Sequence, residues 1–487
     1  MKTRCLAWVI ITSSVFILLG GCKSQPEISF PDSPKDTREI AGHPDKIQFP
    51  PLEVTIPKPK RTELDNGLIV YLLENHELPL IEIIVRFKLG SIYDPPDKLG
   101  LANLTANLMR NGGIGKLSPQ ELDEELYSIG ANLSVSAETE EISFELSILK
   151  EDLEKGLQIL SDLLREPKFD EKRLEFEKKQ LIESFRRKND NSQDIAFREF
   201  RKIIFKNHPY ANETAGTAET VQKISREDIL NFYRQYFHPN AMFLGISGDF
   251  NNNEMINTLI KKFRDWQKHE LSLPEIKLPE LNHKKSVNFI PKEINQTSMV
   301  IGHLGVKRVN PDYFPMLVAN AILGGSSVSR LYHEVREKEG LTYGIFSYFV
   351  MFQGSGMFVV DMDTKNSSVG KATQIILREI RSLQEKGIRD EELRHTKDAI
   401  LSSFVFRFTN PTRILDQYIY MEYLGLPKDY LETYRDNIMK ITRQDIQNAA
   451  RKYLHPDDSV FMFVGGGKEV EEQIMEFGPV NTIMLEK

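Results

Sequence analysis

The sequence predicts an α+β protein of two tandem duplicated domains, each built from antiparallel strands packed with helices. Three observations carry this. The chain has 487 residues, more than one hydrophobic core usually organises. A stretch from Lys223 (K-I-S-R-E-D-I) to Pro239 returns from Lys440 (K-I-T-R-Q-D-I) to Pro456, at an offset of 217 at both ends (440 against 223, 456 against 239). Runs of β-branched and apolar residues also alternate with amphipathic stretches, the pattern of strands covered by helices. A period this long marks duplicated domains, not a solenoid.

In chain order, the first 22 residues read as a targeting segment. Lys2 and Arg4 precede an apolar run from Leu6 to Leu19, too short for a comfortable membrane span. The run closes on Leu19-Gly20-Gly21-Cys22, which resembles a bacterial lipobox with Cys22 as the lipidated residue. Lys23 after the cysteine, where an aspartate would signal retention, points toward the outer membrane. The expected location is therefore the cell envelope, as a periplasm-facing lipoprotein held by its lipid anchor. The chain has only two cysteines, Cys5 and Cys22, so the mature protein is expected to have no disulfide and no thiol nucleophile. Residues 23–61 are rich in Pro, Asp, Lys and Ser without hydrophobic period, and read as a flexible tether.

The first domain is expected over 62–266. Gly67–Leu73 and Leu80–Leu89 read as strands, and Leu99–Gly113 as a helix closed by a double glycine. Ser118–Ile129 opens on a Ser-Pro helix start. Ala131–Ala137 and Ile142–Leu149 form an expected hairpin. Asp152–Arg165 is amphipathic, with Leu153, Leu157, Leu160 and Leu164 on one face. Phe169 to about Phe205 reads as a long charged helix pair broken near Asn189–Asn191. The linker is expected at 267–285, where Pro274 and Pro279 interrupt any regular element, and the second domain at 286–487. Each repeat copy runs into an apolar strand ending in glycine, Met242–Gly248 and Ser459–Gly465.

A net charge of −7 gives no basic face for nucleic acid. There is no Gly-x-Ser-x-Gly elbow and no phosphate-binding loop. The ten histidines are scattered, no two within four residues of each other. His238 and His455, repeat-equivalent His-Pro pairs at helix ends, read as structural, as does His208.

The Leu99–Gly113 helix carries Asn103 and Asn107 one turn apart on one face, with apolar residues over most of the rest. This is the layout of the inverted zinc-peptidase motif H-x-x-E-H, with asparagine at both histidine positions and Ala106 at the glutamate position. Downstream come His208-Pro209-Tyr210, Gly216 to Val221, and Gly324-Gly325-Ser326-Ser327 leading to Tyr343. With these, the chain resembles the pitrilysin/insulysin family of zinc peptidases, in its processing-peptidase-like branch, over about Arg61–Gly467. The resemblance implies two domains of the processing-peptidase (LuxS/MPP-like) fold in a clamshell arrangement.

It also implies a lost metal site. Amide oxygens are poor zinc ligands and Ala106 accepts no proton. The third ligand is expected at Glu183 or Ser184, with the surrounding sequence favouring Ser184, so that ligand is lost as well. Glu177, at the family's accessory glutamate position, remains. No metal is expected on this chain. In the second half, Arg336 and Tyr343, seven apart, match the family's arginine/tyrosine pair, which in active members positions substrate and stabilises the oxyanion. The implied function is the non-catalytic subunit of a heterodimeric zinc endopeptidase. Its partner would be a homologous H-x-x-E-H subunit holding the zinc, and its ligand an extended peptide. The alternative is an inactive homologue serving as a binding or assembly scaffold. A plain alternative for the pair itself is that Arg336 salt-bridges a neighbouring glutamate while Tyr343 packs in a strand.

Overall fold

The computed structural model describes residues 55–270, 273–280 and 284–485. The expected signal segment, Cys22 and most of the tether lie outside the described residues.

The first half runs β1 (Lys60–Glu63), β2 (Ile69–Glu74), β3 (Leu80–Phe87), α1 (Leu101–Asn111), α2 (Pro119–Ser128), β4 (Asn132–Ala137) and β5 (Ile142–Leu149). It continues with α3 (Leu153–Arg165), α4 (Glu171–Phe185), α5 (Ser192–Phe205), α6 (Ala218–Lys223), α7 (Arg226–Tyr236), β6 (Met242–Gly248) and α8 (Asn252–Phe263). The second half repeats the plan: β7 (Ser286–Pro291), β8 (Gln296–Leu304), α9 (Tyr313–Leu323), a π-helical turn (Tyr332–Lys338), β9 (Ile345–Met351) and β10 (Gly356–Lys365). Then follow α10 (Val369–Glu385), α11 (Asp390–Phe404), α12 (Pro411–Leu424), α13 (Tyr430–Lys440), α14 (Arg443–Tyr453), β11 (Val460–Gly465), α15 (Gly467–Ile474) and β12 (Val480–Thr482).

The repeat has a local cause. Ser225 and Thr442 are the N-caps of α7 and α14, and Asp228 and Asp445 three residues on complete capping boxes. The strands that follow, β6 and β11, are buried on both faces and sit inside their sheets. Each sheet has six strands, ordered β1-β2-β6-β3-β5-β4 and β12-β7-β11-β8-β10-β9.

Three features refine the expectation. The sheets are mixed: β6 runs parallel to β2, and β11 and β12 run parallel to β7. The long helical excursion before β6 and β11 supplies the crossover a parallel neighbour needs. The outermost strands also break the duplication, since β1 precedes β2 and pairs antiparallel while β12 comes from the C-terminal end. The tether boundary moves back: β1 begins at Lys60, Ile56 packs on the second core, and Lys58 pairs with Glu432 at 2.7 Å. The described residues of the linker form no helix or strand.

The largest departure concerns α4 and α5, which are not a packed pair. α5 leaves the first half and lies on the second sheet, where Ile195, Ala196 and Phe200 join Val300, Val359, Met462 and Val464 in one core. Its counterpart α12 lies on the first sheet, burying Leu415, Ile419 and Tyr423 against Tyr71 and Phe243. A glycine receives each helix: a Cβ on Gly302 would come 3.0 Å from Phe200 Cζ, and one on Gly245 2.9 Å from Ile419 Cδ1. The two halves are clasped by exchanged helices, and the described residues belong to one compact unit.

A polar knot reinforces the clasp. The Glu140 carboxylate, in the β4–β5 turn, accepts from Tyr210 Oη and from the Gln353 amide in the β9–β10 turn. Tyr423 of α12 donates to the Glu140 carbonyl at 2.7 Å. Burial raises the Glu140 pKa above the ordinary carboxylate value.

Candidate functional site

Helix α1 is pinned at both ends. Asp94 accepts from the Gly100 and Ala102 amides, each at 2.8 Å, so one carboxylate caps the helix from outside it. Burial pushes the Asp94 pKa up to about 7, against the pull of those backbone N–H groups. At the other end, the Gly112 amide closes on the Leu108 carbonyl at 2.7 Å, and the Gly112 and Gly113 carbonyls accept from the segment leading into α4.

Asn103, Asn107 and Asn111 line the half-buried face of α1, one turn apart. Asn107 Nδ2 donates to the Asn103 carbonyl and to Asn103 Oδ1 at 2.9 and 3.0 Å, closing the pair on itself. Asn111 Nδ2 donates to Glu177 Oε1 at 3.1 Å, and Arg173 Nε donates to the same oxygen at 3.0 Å. Glu177 thus ties α4 to α1. Ala106 is fully buried in the first core.

Ser184 follows Glu177 by seven residues, two turns along α4 on the same face, whereas Glu183 is rotated off by roughly a third of a turn. Both are exposed. Ser184 Oγ donates to the Leu181 carbonyl at 2.7 Å, and Glu183 pairs with Arg186 at 2.8 Å. Two asparagines, an alanine and a serine do not fit zinc, which needs imidazole nitrogens or anionic oxygens. Among the described residues, no three of His, Cys, Asp or Glu are gathered as metal ligands. Among the expected structural histidines, His238 Nε2 contacts the Arg234 carbonyl at 2.9 Å, and His208 caps its own turn by accepting from the Tyr210 amide while its Nε2 contacts the Lys277 carbonyl at 2.6 Å.

Strand β4 is a sheet edge, and α1 closes part of it. Arg110 Nε donates to the Leu133 carbonyl at 3.0 Å while Nη1 bonds Asp123 at 2.9 Å. The β9 edge is closed in the same way at Ser347, whose amide donates to the Gly324 carbonyl and whose carbonyl accepts from Asn320 Nδ2, both at 2.9 Å.

In the second half the structure brings Arg336 and Tyr343 together. Arg336 Nε donates to the Tyr343 carbonyl at 3.0 Å, and the guanidinium carbon lies 4.9 Å from the Tyr332 ring centre. The plain alternative for this pair does not match. The neighbouring glutamates are occupied elsewhere: Glu334 by Lys338 and Arg378, Glu337 by His333, Glu339 by Lys371. Tyr343 precedes β9 and is 90% exposed. The contacts of this pair stay within the second half.

Sequence reasoning passed over Arg110, Asn111 and Tyr332. Asn111 was signalled by the next turn of the Asn103–Asn107 face, and Tyr332 by lying one turn before Arg336. Arg110 had no such signal, because its partner is a backbone carbonyl in another element.

Family profiles match at two places: "Insulinase (Peptidase family M16)" over residues 70–218, and "Peptidase M16 inactive domain" over residues 223–400. The chain is 27% identical over 403 residues to the "Non-peptidase homolog YmxG" of Helicobacter pylori, covering 81% of this chain and 91% of that protein. It is 25% identical over 350 residues to the "Uncharacterized zinc protease YmxG" of Bacillus subtilis, covering 71% and 83%. The crystal structure of a peptidase M16 inactive domain from Pseudomonas fluorescens superposes with a TM-score of 0.78 at 24% identity, covering 84% of this chain and 98% of that one. The two profiles, the matched fold and the asparagine-substituted helix together establish that the chain belongs to the insulinase (M16) peptidase family, as a member without the H-x-x-E-H motif.

Proposed function

We propose that this chain is the non-catalytic, substrate-binding subunit of a heterodimeric zinc endopeptidase at the bacterial cell envelope. It supplies Arg336 and Tyr343 to a zinc site carried by a homologous H-x-x-E-H subunit. One contrast carries the reading: the first half has lost its metal ligands, whereas Arg336 keeps a charge that no neighbouring glutamate neutralises, beside a fully presented Tyr343. A fixed cation and a phenol donor suit the stabilisation of negative charge developing on a peptide carbonyl. An extended peptide is the expected ligand, held by backbone pairing.

The test is co-expression with an H-x-x-E-H homologue encoded alongside, followed by a peptide-cleavage assay of the purified complex. Arg336→Ala and Tyr343→Phe should each lower the rate of the complex while leaving its assembly intact. Unchanged rates reject the reading. The envelope address is tested by fractionation: Cys22→Ser should release the chain from membranes.

A second reading is an inactive homologue acting as a binding or assembly scaffold. The observation that favours it is the closing of β4 by Arg110 and of β9 by Asn320, which limits strand pairing along both edges. It predicts association with envelope proteins that is indifferent to Arg336→Ala.

A further inference from the structure

The π-helical turn Tyr332–Lys338 is the only one among the described residues, and it carries Arg336. Such turns are rare and are frequent at functional sites. This one is bound at several points. The Leu341 amide donates to the Val335 carbonyl at 3.0 Å and the Gly340 amide to the Arg336 carbonyl at 3.1 Å. Val335 is buried in the second core, and Glu334 is held by Lys338 and by Arg378 of α10. The backbone under Arg336 is therefore fixed before any ligand arrives.

The side chain is fixed as well, from two directions. Tyr332 is half-buried against the second core, and its ring faces the guanidinium. Nε is engaged by the Tyr343 carbonyl. It is the one guanidinium nitrogen that makes a hydrogen bond among the described residues, so both Nη groups keep their donors for a ligand. Long side chains otherwise lose considerable rotamer entropy on binding, and preorganisation removes that cost.

We infer that Tyr332 is a positioning residue: its ring sets the plane of the Arg336 guanidinium so that the two Nη groups meet a carbonyl or carboxylate oxygen of the bound peptide. The inference rests on the proposed reading for what Arg336 contacts, and on this chain alone for how Arg336 is held.

The test has two arms. In the isolated full chain, nitrogen-labelled at arginine, the Arg336 Nε–H resonance should be shifted upfield by the ring and slow to exchange. Tyr332→Ala should abolish the upfield shift, and Tyr332→Phe should retain it. A wild-type-like resonance in Tyr332→Ala overturns the inference whatever the complex does. In the co-expressed complex, Tyr332→Ala should lower kcat about two- to five-fold, the equivalent of one cation–π contact at an exposed site, with KM little changed and with rescue by Tyr332→Phe. Unchanged kcat in Tyr332→Ala, beside a strong effect of Arg336→Ala, overturns the positioning role and spares the proposed function. If Arg336→Ala itself leaves the rate unchanged, the functional reading falls, and the resonance alone decides whether Tyr332 orders Arg336.

Discussion

Phe200→Ala should destabilise both halves of the molecule together. Phe200 is fully buried and belongs by sequence to the first half, yet its ring lies over Gly302 of the second sheet. Truncating a buried phenylalanine costs about 3–5 kcal/mol, because transfer and cavity terms add. A chain of this size exposes enough surface for a urea m-value of about 3 kcal/mol/M or more, so the midpoint should fall by up to roughly 1–1.7 M. The assay is urea unfolding read by hydrogen exchange in β6 of the first sheet and β11 of the second. Both strands should lose protection in one transition, shifted by the same amount. Two separate transitions with only one displaced would refute the argument that α5 and α12 make the halves interdependent. So would a loss below about 1 kcal/mol, since a well-packed ring cannot be removed so cheaply.

Other consequences concern α1. Asp94, raised to about 7 by burial, binds a proton more tightly in the folded state than in the unfolded one. Stability should therefore fall as pH rises from about 4 through about 7, by up to about 4 kcal/mol. Asp94→Asn should flatten the thermal-stability profile over that window, and a wild-type profile already flat there contradicts the burial argument. Arg110→Ala should cost about 1–2 kcal/mol for the lost bond to Leu133 and should increase binding of reduced insulin B chain as an extended-peptide probe; unchanged binding would show that the Arg110 contact does not limit strand addition. The triple change Asn103→His, Ala106→Glu, Asn107→His should not bind stoichiometric zinc by metal analysis, because Ser184 leaves the third position empty. Zinc-dependent turnover from it would point to Glu183 as the third ligand.

Much of this architecture is written locally. The α1 stretch, the β4–β5 hairpin and the α7 and α14 repeats are announced by period, turn residues and caps, and the observed ranges match to within three residues. What periodicity cannot state is the identity of the opposing surface. Ile195, Ala196 and Phe200 mark an apolar face, but nothing in their spacing says that it covers a sheet a hundred residues downstream. The same limit hides the parallel neighbours of β2 and β7 and the C-terminal origin of β12. At the candidate site, residue types alone expose the missing metal ligands. The availability of Arg336 is different, because it depends on which partners the surrounding glutamates choose. Glu334, Glu337 and Glu339 all lie within three residues of it in sequence and all turn elsewhere.

The docking of Ile56, Lys58 and Arg61 has a mechanical side. Lys58 pairs with Glu432 of α13, and Arg61 with Glu422 of α12, Nη2 to Oε1 at 2.7 Å. A pull on the chain ahead of Thr55 therefore reaches the Ile56 and Lys58 contacts with the second half before the four-residue ladder of β1, to which Arg61 itself belongs. Residues 56–58 are thus harnessed to the half that follows them in sequence, the one bearing Arg336 and Tyr343, so tension arriving there would reach this half before the asparagine-lined face of α1.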